Sequence, residues 1–133
     1  MQEYIRGATL SIWLRSGAQE SWAAAERGVP GNRSACPAQF RARMNQLAET
    51  GRLRSPDHMN HEGDGIYAIK ATCGLRAYGW HSSYKGRRAF IISHVVLKSR
   101  QRLDPADKAR ALTARAEFDA ESTRARRSTG EPQ

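Results

Sequence analysis

The chain has 133 residues, 39% hydrophobic and 26% charged, which suits one domain around one modest core. Its 22 Lys+Arg against 13 Asp+Glu give +9 and a pI near 10.4; such a surplus draws anions over roughly 8 Å at physiological salt and puts nucleic acid ahead of acidic proteins or membrane surfaces as a partner. No apolar run approaches the roughly 18 residues of a membrane span, and the opening MQEYIRGATL lacks the basic-then-apolar order of a secretory signal.

Two cysteines, Cys36 and Cys73, form no CxxC motif and no framework. A cytoplasmic protein with two thiols is expected, a single disulfide being the alternative. In TLSIWLR, Leu10, Ile12 and Leu14 alternate with Ser11, Trp13 and Arg15, the period of a half-buried strand. Ser16 and Gln19 have the spacing of a capping box for a following alanine-rich helix, which Gly28 and Pro30 end. CPAQFRARMNQLAETG is a clear helix: Pro37 suits its first turn, Phe40, Met44 and Leu47 share one face, and Gly51 sits at the C-terminal cap position.

RLRSPDHMNHEGDG has no periodicity and reads as a polar loop. IYAIK and LRAYGW are short strands; in the second, Arg76, Tyr78 and Trp80 alternate with Leu75, Ala77 and Gly79. HSSYKGR is a turn with Gly86 available for positive φ. RAFIISHVVLK is the longest and most apolar strand and belongs at the sheet centre. Its parity puts Phe90, Ile92, His94, Val96 and Lys98 on one face. A last helix follows in LDPADKARALTARAEFDA, with Asp104 as cap, Asp107 at the positive dipole end, and Ala109, Leu112 and Ala116 as its apolar stripe. Residues 1–121 are expected to form a single domain and 122–133 a disordered basic tail. The fold class is α+β: a small antiparallel or mixed sheet of three to four strands, with helices packed on one side.

His58 and His61, with Asp57 and Glu62, make a polar loop cluster that lacks the further Cys/His pair of a zinc site. No metal and no cofactor is therefore assigned, and phosphate-loop, dinucleotide-binding, serine-hydrolase and zinc-protease motifs are absent from the sequence. His94 stands inside an apolar strand, either as a core residue or as a proton-transfer group. Lys70, Arg76, Lys98 and Arg100 lie in or at the ends of strands. They read either as a phosphate-binding surface or as basic strand edges. His94 and Lys98 are four residues apart, roughly 13 Å along a strand, so they are not expected to meet at one phosphate.

DGIYAIK, then GLRAYGW, then RRAFIISHVVLKSRQRLDPADKARA resembles the RelE/ParE superfamily of toxins, and is closest to its HigB-like, phage-derived branch. The resemblance covers roughly residues 38 to 118. Asp64, Gly65 and Tyr67 match the family's turn and strand, and Arg76 and Tyr78 match its arginine and aromatic positions. His94, Lys98 and Gln101 match its histidine, lysine and glutamine, while Val95, Ser99 and Gly79 depart from the pattern. The resemblance implies a RelE-like fold in a cytoplasmic toxin of a type II toxin–antitoxin system. Its substrate would be mRNA on the ribosome, and its partner a cognate antitoxin of helix-turn-helix type. The implied chemistry is metal-free: a 2′-hydroxyl attacks the adjacent phosphate to leave a 2′,3′-cyclic phosphate and a 5′-hydroxyl. The implied catalytic set is Lys70, Arg76, Tyr78 and His94. Lys70 or His94 acts as base, Arg76 stabilises the transition state, and Lys98, Arg100, Lys85 and Trp80 bind RNA. Two alternatives stand beside it, a gyrase-inhibiting ParE-like toxin and a non-catalytic binding protein on the same fold.

Overall fold

The computed structural model describes residues 1–98 and 105–129. Arg100, Gln101 and the cap expected at Asp104 lie outside the described residues. In chain order the elements are β1 (Gln2–Arg6), β2 (Ser11–Leu14), α1 (Ala18–Arg27), a short 3-10 turn at Gly31–Arg33, α2 (Cys36–Thr50), β3 (Met59–Gly63), β4 (Ile66–Lys70), β5 (Leu75–Tyr84), β6 (Arg87–Leu97) and α3 (Pro105–Thr129). They form an α+β domain on one six-stranded mixed sheet, in the order β1-β2-β6-β5-β4-β3. β2 runs parallel to β6 and every other neighbour is antiparallel. A parallel pair needs a crossover, and α1 and α2 supply it.

The sheet has six strands where three to four were expected. β1 pairs outside β2, with Glu3 opposite Trp13. β3 lies in the segment read as a polar loop: Asp64 and Gly65, at φ 54° and 78°, turn the chain between paired Gly63 and Ile66. Two positive φ values between paired residues are the backbone of a tight hairpin. Lys85 and Gly86 repeat this between β5 and β6, at φ 50° and 76°.

Helices cover both faces, not one. On the first face Leu10, Ile12, Leu75, Phe90 and Ile92 pack with Trp22 of α1 and with Phe40 and Met44 of α2. On the second, Trp13, Tyr78, Trp80 and Ile91 pack against Ala111 and Phe118 of α3. The second face is apolar as well, so it needs its own cover. This also buries β2 on both sides, where half-burial was expected. The apolar stripe of α3 is Ala111, Ala114 and Phe118, with Leu112 partly buried; Ala109 and Ala116 face out. The helix continues through residues 122–129, which were expected as tail.

α2 follows the reading of its sequence. Phe40, Met44 and Leu47 are fully buried, and Gly51 closes the helix at φ 74° with its N–H on the Leu47 carbonyl at 2.7 Å. α1 does not. Gly17, at φ 86°, precedes it with no side-chain cap, so Ser16 and Gln19 form no capping box. Cys36, at the start of α2, is joined to Cys73 in the β4–β5 turn, where two thiols were expected.

The strand β6 is central, as expected, but its parity is broken. Gly79 pairs with Ile92 and Tyr78 with His94, leaving Ser93 as an extra residue. This is a β-bulge, and a bulge re-aims the side chains beyond it. Phe90 and Ile92 therefore face α1 and α2, whereas His94 and Val96 share the α3 face with Tyr78. His94 is not in phase with Phe90 and Ile92, contrary to the alternation of the sequence. Gly79 permits the bulge: a Cβ there would lie 2.1 Å from the Ile91 carbonyl oxygen and 2.8 Å from the Phe90 ring. Gly79→Ala is accordingly expected to destabilise the fold by about 1–3 kcal/mol in urea unfolding; an unchanged midpoint would show that the backbone there yields freely.

Candidate nucleic-acid interface

Basic groups collect where β4, β5 and β6 end beside the β4–β5 turn. Lys70, the last residue of β4, pairs across the strands with Arg76 at the start of β5, and Arg76 pairs with Val96 of β6. Lys98 follows β6 directly, and its N–H donates to the Gly74 carbonyl at 2.9 Å. Gly74 has φ 103°, and a Cβ there would lie 1.9 Å from the Lys98 carbonyl oxygen. Only glycine lets the turn sit this close. On the other side His58 leads into β3, and its carbonyl accepts the Lys70 N–H at 2.8 Å. One group from each of four neighbouring chain segments thus forms a row: His58, Lys70, Arg76 and Lys98.

A cleft of about 500 Å³ opens on this row, lined also by Arg33 and Arg43. Arg43 reaches over from α2, and its guanidinium donates to the Lys70 carbonyl. Its burial lowers its pKa, yet an arginine stays cationic in a protein. Among the described lining residues Asp57 is the sole carboxylate, and it sits 3.6 Å from Arg54. Five cationic side chains in a concave wall focus a positive potential. His58 Nδ1 is buried without a hydrogen-bond partner among the described residues.

Behind the cleft lies a sealed polar cluster. The rings of Tyr78 and His94 stack at 5.3 Å and 12°, with exposures of 1% and 0%. His94 Nδ1 lies 2.9 Å from Ser93 Oγ, and Nε2 lies 3.1 Å from Asp107 Oδ1. A neutral imidazole satisfies both contacts, with Nε2–H donating to the carboxylate and Nδ1 accepting from the serine hydroxyl. The other carboxylate oxygen of Asp107 is 2.7 Å from Lys98 Nζ, which also lies 5.9 Å from the Tyr78 ring centre. Burial lowers the His94 pKa, and the hydrogen bond to Asp107 only partly opposes this. Burial alone would raise Asp107, but the hydrogen bonds from Lys98 and His94 outweigh it and hold its pKa down. Burial raises Tyr78.

The structure thus divides the residues expected at the site. Lys70, Arg76 and Lys98 meet in the cleft. Tyr78 and His94 lie beneath α3 with no exposed surface to offer a substrate. Trp80 is 2% exposed and tilts against Phe118 at 5.9 Å, so it fills the core rather than presenting a stacking face. Lys85 sits at the far hairpin tip, over Trp13 and Tyr84, roughly 30 Å along β5 from the cleft. His94 and Lys98 do meet, on the two oxygens of one carboxylate, because Lys98 lies past the strand and its side chain turns back. Arg43, Arg33 and His58 were not read as cleft residues, although Arg43, three residues past Phe40, borders the apolar stripe of α2. The histidine loop cluster is pulled apart: His58 lines the cleft, while His61 stacks on Tyr67 at 4.7 Å. Among the described residues no group of three or more His, Cys, Asp or Glu is placed to hold a metal ion. No described helix is long and apolar enough to cross a membrane. No protein-family model, no curated protein and no solved structure matches the chain.

The sealed histidine sets a pH dependence. Its folded pKa is depressed, so the unfolded chain takes the proton first. Stability is full above the ordinary histidine value of about 6.5 and falls as pH drops below it. The depressed Asp107 adds a second loss below its ordinary value of about 3.9. Urea unfolding between about pH 8 and about pH 5 is expected to show the histidine-linked decline, with a shallower slope in His94→Gln. Equal slopes in the two chains would place the titrating group elsewhere.

Proposed function

We propose that the cleft binds the phosphodiester backbone of single-stranded RNA, and that the chain is a metal-independent endoribonuclease, the toxin of a type II toxin–antitoxin pair of the RelE/ParE superfamily it resembles. The observation that carries this reading is the row His58, Lys70, Arg76 and Lys98 in one cleft, backed by Arg43. Arginine offers a planar fork for phosphate oxygens, and lysine a compact charge. In scission the 2′-hydroxyl oxygen bonds to phosphorus, and the bond from phosphorus to the 5′-oxygen breaks. The 2′-proton passes to a base, and an acid protonates the leaving 5′-oxygen. His58 and Lys70 line the cleft, so the proton transfers fall to them, in place of the buried Tyr78 and His94. Arg76 stabilises the phosphorane, while Arg43 and Lys98 hold the flanking backbone charge. Ribosome-bound mRNA as substrate and a helix-turn-helix antitoxin as partner place this activity in the cytoplasm. Thiol reductants there oppose the Cys36–Cys73 bridge.

A second reading, a binding protein without chemistry, is favoured by one observation: Tyr78 and His94 are closed off under α3. End analysis of RNA incubated with the purified chain separates the two. Cleavage is expected to leave 2′,3′-cyclic phosphate and 5′-hydroxyl ends in the presence of a chelator. Arg76→Ala is expected to slow it on the order of a hundredfold or more in a folded chain. Tight binding with intact RNA supports the binding protein. Cleavage by folded Arg76→Ala at the wild-type rate removes Arg76 from the chemistry.

A further inference from the structure

We propose that Asp107 is an internal competitor of the substrate phosphate: the first turn of α3 presents a carboxylate that occupies Lys98, and RNA gains this lysine only by exchanging for it. The inference rests on the cleft reading above and adds to it a residue that tunes polyanion affinity. Lys98 lines the cleft, and its Nζ is 2.7 Å from Asp107 Oδ2. Both side chains are largely shielded, at 12% and 13% exposure. A carboxylate and a phosphodiester present the same chemistry to an ammonium group, an anionic oxygen acceptor. Lysine is a point charge with three donors on a rotatable stem, so it can change acceptors without moving the backbone.

The exchange does not strand the carboxylate. Asp107 Oδ1 keeps its contact to His94 Nε2 at 3.1 Å. Nor does it require α3 to leave the sheet. The helix is held by Ala111 and Phe118 in the second core, by Glu121 on Arg15 at 2.8 Å, and by Lys108 on Asp64 at 2.9 Å. At Asp107 Oδ2 the competition is therefore between carboxylate and phosphate for the Lys98 ammonium group. Arg33, Arg43, Lys70 and Arg76 line the same cleft and, among the described residues, take no part in Asp107's ion pair. A chain of several phosphates can engage these first and then displace Asp107, whereas a lone phosphate has no such anchorage. The contact therefore selects for an extended polyanion.

The test is binding of a labelled short single-stranded RNA to the full chain over a salt series. Asp107→Asn, which keeps the size and the hydrogen-bonding oxygen, is expected to bind several-fold tighter at an unchanged log–log salt slope, since Lys98 meets phosphate in both chains, whereas loss of that contact in Lys98→Gln makes the slope shallower by about 0.7 on a single strand. Lys98→Gln is expected to bind more weakly, and the double variant to match Lys98→Gln alone. Unchanged affinity in a folded Asp107→Asn chain overturns the proposal. So does a gain that persists without Lys98, which marks a general charge effect. Should Asp107→Asn fail to fold, the carboxyl carbon resonance of Asp107 in the wild-type chain carries the test: it shifts on RNA addition if Lys98 leaves, and a resonance that stays in place at saturation overturns the exchange. Arg76→Gln separates the two levels. Binding unaffected by that change defeats the cleft reading, whereas a loss there with no gain in Asp107→Asn defeats the competition alone.

Discussion

One unpaired residue in the central strand decides what each face of the sheet carries. Ser93 stands between the pairs Ile92–Gly79 and His94–Tyr78 without a partner on β5. Before it, β6 sends Phe90 and Ile92 into the core under α1 and α2. After it, His94 joins Tyr78 on the other side. Without that slip His94 would enter the apolar core beside Phe40 and Met44, where a polar ring without a partner is costly. The slip depends on a small residue at position 79, and it is braced from α1, whose Ser21 hydroxyl accepts the Val95 N–H at 3.0 Å. The extra residue is itself useful, since its hydroxyl contacts His94 Nδ1.

From the bulge outward, polar groups on the α3 face form a graded series. His94 is fully buried, and its two nitrogens contact Ser93 and Asp107. Asp107 stands at the boundary with one oxygen on His94 and one on Lys98. Lys98 faces the cleft, where Arg43, Lys70 and Arg76 gather around a space of about 500 Å³. Burial of ionisable groups is tolerated only with partners, and here each buried group hands its partner on to a less buried one. The sheet thus converts a neutral interior into a cationic wall over a few residues. The turn that closes this wall is fixed by Gly74 against Lys98 and by the bridge from Cys73 to Cys36.

Much of this follows from local pattern. Alternation in TLSIWLR and LRAYGW put the right side chains on the right faces, because a strand that stays in register obeys its period of two. The stripe of α2 and its glycine stop were equally plain. β3 was missed although Asp64-Gly65 is a strong hairpin signal, since the polar run before it has no alternation to mark a strand. The stripe on α3 was read one face off: its apolar residues are small and sparse, with Phe118 the large side chain among them.

Length, charge and periodicity by themselves determined an α+β domain, a central β6 and a cationic set at the strand ends, because these depend on residues near one another in the chain. Tertiary structure alone decided that Tyr78 and His94 are sealed beneath α3 while Lys70, Arg76 and Lys98 line the cleft, the last two with little exposed surface. That division depends on a one-residue bulge, on an arginine arriving from α2, and on a helix from the end of the chain that covers the second face. No period in the sequence encodes such long-range contacts, since they arise only when distant segments compete to cover the same apolar surface.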